Sequence, residues 1–392
     1  MTFLRACLLT LSFLLVVPSA LGQERTKQET WAKLTIAQTD DVGEEILFLR
    51  SYHPGTTGLW SYSVGQVPER RCDVGFEEAV FAWHVKTEDS SHLLVVHDQG
   101  AVSMLDPATG RTVWTDKCNW IGPYGYPDGY QFVATPDDPK ALGILTWPDL
   151  KRGANGKEVA TGMLHAASVH VDGLQPKWER PLTFDRHVPE CLTHLTWTGT
   201  DKSELLCVVV EDNRLTRLCP FCGAQQWTVE ITDPALFLAV GLSCVEDSEG
   251  NSVILLGTGH SADDWILMID GETGATLKRV ADPHSPECPG DTHGGDKLHP
   301  AHNGRVFIQL LDGNYGFLDA FGRLQIPSKP PTLLQWRGAP MSSVQILHGG
   351  SQLLVVAVSP WGNEIGCPQL VVLDPETTDV VHQAWNRDFA LR

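Results

Sequence analysis

No glycine-rich phosphate loop of the G-x-x-x-x-G-K-[ST] type occurs in the 392 residues, and no serine or cysteine stands in a recognisable nucleophile signature. P-loop nucleotide hydrolysis and the familiar serine or cysteine hydrolases are set aside on that ground. Positive charge is scarce: 29 Lys and Arg stand against 48 Asp and Glu, a net charge of −19. With no basic stripe, the chain repels a phosphate backbone, which excludes nucleic acid as a partner and leaves no electrostatic reason to dock on anionic lipid. After the N-terminal segment no apolar run reaches 18 residues, so no transmembrane segment is expected in the mature chain. Only one Cys-x-x-C exists, Cys219-Pro220-Phe221-Cys222. Tetrahedral zinc would need two more ligands, covalent haem attachment would need a His after Cys222, and a redox pair of the usual kind would need a following helix to acidify it. The pair therefore reads as a disulfide across a turn, Cys219 to Cys222, or as two free thiols, with a metal or redox role as the alternative.

What is present begins with Met1–Gly22: Arg5, the apolar run LLTLSFLLVV, and small residues in Pro18-Ser19-Ala20-Leu21-Gly22. This is the pattern of a secretory signal peptide, so residues 1–22 are expected to be removed and the mature protein to be secreted or periplasmic. No Cys follows the cleavage site to carry a lipid. Of ten cysteines, Cys7 leaves with the leader, and the nine that remain leave at least one thiol unpaired. Cys207 in LLCVVV and Cys244 in GLSCVED read as buried small apolar residues on strands. No Ser/Gly-rich linker interrupts residues 23–392, which are expected to form a single domain.

That domain is legible in one stretch, Ser91–Lys117, which reads strand, turn, strand, turn, strand and returns in weaker copies along the chain. Asp106-Pro107-Ala108-Thr109-Gly110 precedes Trp114. Asp270–Gly274 and Asp374–Thr378 repeat the turn, and Cys219–Gly223 keeps its glycine four residues before Trp227. Such a turn needs an opening side chain that bonds its own backbone and a Gly that accepts positive φ. The Trp that follows is large enough to wedge between neighbouring units. HPGTTGLW, DGLQPKW and DAFGRLQ supply three more degenerate copies. Taking Trp60, Trp114, Trp178, Trp227, Lys278, Gln325 and His382 as equivalent gives a mean spacing of about 54 residues, the period of a propeller blade. The expected fold is all-β: a seven-bladed β-propeller of four-stranded antiparallel blades. Blade one reads as only three strands, LTIAQ, ILFLR and LWSYS, so closure by pairing of N- and C-terminal strands is expected, with Asn386–Arg392 as the completing strand.

Turns of the form D-x-x-T-G followed four residues later by Trp resemble the pyrroloquinoline-quinone-like propeller repeat of quinoprotein dehydrogenases and outer-membrane assembly lipoproteins. The resemblance is specific in Asp106–Trp114, Cys219–Trp227, Asp270–Lys278 and Asp374–His382. It implies the fold far more than a reaction. A quinone-dependent dehydrogenase would carry a cofactor sandwich and a calcium site, and the adjacent-cysteine pair common in those enzymes is absent.

Loop placement carries the functional reading. In a four-stranded blade the loops between second and third strands share a face with the connections between blades, and the long segments fall there. One patch is aromatic, with Trp120, Tyr124, Tyr126 and Tyr130 among glycines, rings suited to a protein or saccharide partner. Another gathers His284, Cys288, Asp291, His293, Asp296, His299 and His302 beside His260, Asp263 and Asp264, a density of imidazole and carboxylate that suits zinc or another divalent ion. The expectation is an exported, noncatalytic propeller that binds a protein or other macromolecule through its loop-rich face and needs no cofactor. The alternatives are a metal-dependent hydrolase or lyase built on the histidines, and a dehydrogenase using pyrroloquinoline quinone.

Overall fold

The computed structural model describes residues 31–39, 43–53, 56–87, 89–97, 100–117, 130–135, 141–152, 159–183, 191–198, 204–211, 213–231, 238–259, 265–281, 298–300, 304–309, 315–326, 341–348, 352–358, 368–374, 377 and 379–385. These residues form strands in seven four-stranded antiparallel sheets, each built from four strands consecutive in sequence. The first sheet is β1 (Trp31–Ile36), β2 (Glu45–His53), β3 (Thr57–Ser63) and β4 (Glu69–Val74). The second is β5 (Ala79–Lys86), β6 (Ser91–His97), β7 (Ala101–Leu105) and β8 (Thr112–Lys117). The third is β9 (Gln131–Ala134), β10 (Gly143–Arg152), β11 (Val159–His170) and β12 (Gly173–Leu182). The fourth is β13 (Cys191–Thr198), β14 (Glu204–Glu211), β15 (Arg214–Leu218) and β16 (Gln225–Glu230). The fifth is β17 (Leu238–Glu246), β18 (Ser252–Gly259), β19 (Trp265–Asp270) and β20 (Thr276–Ala281). The sixth is β21 (Leu298–Pro300), β22 (Arg305–Gln309), β23 (Tyr315–Asp319) and β24 (Leu324–Gln325), and the seventh is β25 (Met341–His348), β26 (Gln352–Val358), β27 (Pro368–Leu373) and β28 (Val380–Trp385).

Burial follows position in the sheet. β6 and β14 read as near-continuous apolar runs because both of their faces are covered, whereas β8 and β16 alternate exposed and half-buried residues. The fourth strand is thus the outer one. The core is divided into clusters that each join neighbouring sheets. Leu49, Leu59 and Phe76 meet Leu93 and Val95 between the first and second sheets, and Val208 and Leu215 meet Ile254 and Ile269 between the fourth and fifth. One cluster joins the two ends of the chain: Leu34, Phe48, Trp60 and Tyr62 of the first sheet pack with Leu370, Val372 and Ala384 of the seventh.

Two expectations change here. The first sheet has four strands of its own, the fourth being ERRCDV of β4, which the sequence reading passed over because its alternation of charged residues hides a half-buried edge. The first sheet thus reaches four strands without a C-terminal one; residues 386–392, expected to complete it, lie outside the described residues. Trp60 is not the counterpart of Trp114. It sits on β3, buried at 2% exposure, whereas Trp114, Trp178, Trp227, Lys278, Gln325 and His382 all sit on fourth strands. Register assigns the equivalent position to Cys72: Leu59 pairs with Cys72 just before a bulge, as Met104 pairs with Trp114 and Arg217 with Trp227. HPGTTGLW mimicked the repeat locally, but it spans the β2–β3 connection, with Gly58 already on β3 and paired to Arg50.

Candidate functional site

Each sheet has two unlike ends. One end carries the turns that join third to fourth strands, and those of the second, fifth and seventh sheets share an Asp-Thr frame. In the second sheet Asp106 Oδ1 accepts the Ala108 N–H at 2.9 Å and the Thr109 hydroxyl donates to Oδ2 at 2.7 Å. In the fifth sheet Asp270 Oδ1 accepts the Glu272 and Thr273 amides at 3.1 and 2.7 Å and the Thr273 hydroxyl at 2.7 Å. These donors favour the ionised carboxyl: the Thr109 hydroxyl first, then the Ala108 amide, hold Asp106 below its ordinary pKa. The glycine that ends each turn takes a left-handed conformation, with φ of 68° at Gly110, 72° at Gly223 and 74° at Gly274.

Those glycines are also points of close approach. A Cβ on Gly223 would come within 2.8 Å of the Trp178 ring, and one on Gly274 within 3.1 Å of Trp227. The turn of one sheet therefore lies on the fourth strand of the preceding sheet, and the indole is tied to it by a hydrogen bond. Trp178 Nε1 donates to the Pro220 carbonyl at 2.8 Å, and Trp227 Nε1 donates to the Gly271 carbonyl at 3.2 Å. Lys278 does the same work with a different donor, reaching the Phe321 and Gly322 carbonyls at 3.1 and 3.4 Å. Arg217 adds a second bond to Gly271 O at 2.7 Å while its other nitrogen pairs with Glu204. At the junction of the second and third sheets Asp116 serves instead, accepting the Leu174 N–H at 3.0 Å. The expected wedging role of the Trp residues is thus observed at Trp178 and Trp227.

At the fourth sheet the turn opens with Cys219 where the second, fifth, sixth and seventh sheets have Asp. In the structure Cys219 and Cys222 stand side by side in this turn as free thiols. The backbone of the turn is unaltered: Gly223 N–H donates to the Cys219 carbonyl at 2.8 Å, as Gly274 N–H does to that of Asp270 at 2.9 Å. Burial raises the Cys219 pKa, but the Cys222 side chain and the Phe221 and Cys222 amides together pull it below the ordinary thiol value. Elsewhere burial dominates, and Cys207 and Cys244 are both pushed up to about 12. Among the described residues no group of three His, Cys, Asp or Glu is placed to hold a metal.

The same end holds a groove of about 680 Å³ between the fifth and sixth sheets, lined by Glu246, Asp247, Arg305, Phe317, Asp319, Phe321 and Arg323. Arg305 lies 5.6 Å over the Phe317 ring and Arg323 5.2 Å over Phe321, and Arg323 Nε pairs with Asp319 at 2.5 Å. Sequence reading missed this groove. Its signal was Phe321, an exposed phenylalanine at a polar turn position.

The other end carries the loops joining second to third strands and the connections between sheets. Trp120, Tyr124 and Tyr126 lie there in sequence but outside the described residues, as do His260, Asp263, Asp264, His284, Cys288, Asp291, His293 and Asp296. His302, also outside them, follows β21 in a first-to-second-strand connection and so belongs by sequence to the opposite end. His299 falls on β21, opposite Phe307. Tyr130 is described, and its ring belongs to the core: it is buried at 1% exposure with Phe81, Trp83 and Phe132, so it does not share an open surface with a ligand.

The chain's consecutive four-stranded sheets match those of solved propellers. Sqt1 of Saccharomyces cerevisiae is similar over 91% of this chain and 86% of its own length, at 14% identity and a TM-score of 0.55. BBS1N, solved in complex with ARL6DN, is similar over 79% of this chain and 84% of its own, at 11% identity and a TM-score of 0.51. At these identities the likeness shows the fold alone, and the fold is that of a β-propeller. No protein-family profile and no curated protein sequence matches the chain. Among the described residues no helix is long and apolar enough to cross a membrane.

Proposed function

We propose that this chain is an exported, noncatalytic propeller that binds a protein partner through the end of the sheets opposite the D-x-x-T-G turns. One observation carries the reading. The four longest connections, residues 282–297, 326–340, 118–130 and 359–367, all leave strand ends on that side, whereas on the other side the turns that open the fourth strands of the fourth, fifth and sixth sheets are short and bonded to the preceding sheet. Long loops on a rigid scaffold are where recognition resides. BBS1N, a propeller of the same fold, was solved with a protein bound, which supports the class of partner. The seven sheets and the cluster joining first to seventh support a closed seven-bladed ring of the pyrroloquinoline-quinone-like type, and an experimental structure with six or eight blades would overturn that count.

The test is a paired substitution. Trp120→Ala with Tyr126→Ala should leave the melting temperature within a degree or two while weakening capture of the partner by about tenfold or more, as loss of an aromatic anchor does. Loss of folding would place the rings in the core and sink the assignment. Export has its own check: N-terminal sequencing of the secreted or periplasmic product should begin at Gln23, and a product retaining Met1 would reject the leader.

A further inference from the structure

We infer that Cys219 and Cys222 form a reactive dithiol that exchanges with disulfide-bonded partners. The placement comes from the repeat. Cys219 occupies the position of Asp106 and Asp270, and Cys222 that of Thr109 and Thr273. In both of those turns the two side chains touch, hydroxyl to carboxylate, at 2.7 Å. The Cys turn has the same closing bonds, Gly223 N–H to Cys219 O and Cys219 N–H to Ala224 O, each 2.8 Å, and the same left-handed glycine. The same frame holds the two cysteines close enough for the Cys222 side chain to hydrogen-bond the Cys219 sulfur. The amides of Phe221 and Cys222, which correspond to those donating to Asp270, here point at the Cys219 sulfur and favour its thiolate. Cys219 is half-buried and Cys222 exposed, so a partner disulfide can reach the attacking sulfur and the resolving one, unlike the buried Cys207. A merely structural turn needs none of this, since Asp and Thr serve the other sheets.

The exchange balances without a cofactor. The Cys219 thiolate attacks one sulfur of a partner disulfide, forming a mixed disulfide and expelling the other partner sulfur as a thiolate. Cys222 gives its proton to solvent and attacks the Cys219 sulfur, closing the Cys219–Cys222 disulfide and releasing the second partner thiolate. Two electrons pass from the protein dithiol to the partner, which leaves as two thiols. The reverse sequence oxidises a partner dithiol. Because Trp178 is bonded to Pro220 O and stacked beneath Gly223, the indole senses the change in the turn.

Glutathione disulfide is the probe, applied to the full mature chain at pH 7, with peptide mass mapping and Trp fluorescence as readouts. The wild type should lose two hydrogens within the peptide holding residues 219–222 and shift its Trp emission. Cys222→Ser should stop at a glutathione adduct on Cys219, and Cys219→Ser should leave Cys222 at least about tenfold slower to react. The double variant Cys219→Asp with Cys222→Thr restores the turn of the other sheets. It should fold normally and show no change in Trp emission with glutathione disulfide. Absence of the adduct in Cys222→Ser, equal reactivity of Cys222 in Cys219→Ser, or an unchanged emission shift in the double variant would each overturn the inference.

Discussion

Trp178→Ala is expected to lower stability by about 3–5 kcal/mol, the range for removing a large ring from a packed core. The indole is 9% exposed, belongs to the cluster that joins the third and fourth sheets, and supports Gly223 from below. Its removal also strips the Pro220 carbonyl of a donor, which adds an unsatisfied buried acceptor. Trp178→Phe separates the two effects. It keeps most of the ring and loses only the Nε1–H bond, so its loss should be nearer about 1–2 kcal/mol. Denaturant midpoints of the three proteins check this, and a Trp178→Ala loss under about 1 kcal/mol would remove the wedge from the account of how sheets are held together.

Acid should destabilise the protein through His194 before it reaches the carboxylates. His194 stands on β13 and is fully buried, and burial alone lowers its pKa from 6.5 to about 4. The folded state thus keeps the ring neutral where the unfolded chain takes up a proton. Between those two values the unfolded state binds more protons, so stability falls as pH drops through that window, by about 3 kcal/mol in all. His92, half-buried, is lowered by burial as well and acts in the same direction. Asp106 and Asp319 contribute only below the ordinary carboxylate pKa of 3.8, because theirs are depressed by the turn hydrogen bonds. Urea titrations at pH 7 and pH 4.5 should show the loss in the wild type and a much flatter response in His194→Leu. Equal slopes in the two proteins would mean the ring is solvated.

These features differ in how far the sequence discloses them. The strands of the second, fourth, fifth and seventh sheets were legible because LLVV, ELLCVVV, VILLG and QLVVLD are apolar runs bounded by turn residues, and both their faces are covered. The turns were legible because Asp, Thr and Gly each have a local duty. β4 was not, since an outer strand buries only one side and ERRCDV looks like solvent-facing charge. Trp60 deceived because a Gly-x-Trp hairpin satisfies the local pattern at the wrong edge of the sheet. The partners of Trp178 and Arg217 were out of reach for another reason: they are backbone carbonyls some forty to fifty positions away, and a carbonyl has no sequence signature. At the candidate site, the histidine and aromatic loops were readable as composition, but Tyr130 belongs to the core because a ring beside β9 packs on Trp83 and Phe132.

The cluster that joins Phe48 and Tyr62 to Leu370 and Ala384, with Tyr62 stacked on His382 at 6.0 Å, bears on the order of assembly. Every other junction links stretches adjacent in sequence and can form while the remainder of the chain is still unstructured. This seam links the chain's two extremities, so its loop-closure entropy exceeds that of a neighbouring junction by roughly 2 kcal/mol. It is therefore the last junction to be gained during synthesis and the first to part under tension applied at the termini. A nascent chain would carry the apolar strip of Leu34, Phe48 and Tyr62 uncovered until Leu370, Val372 and Ala384 of the seventh sheet are made.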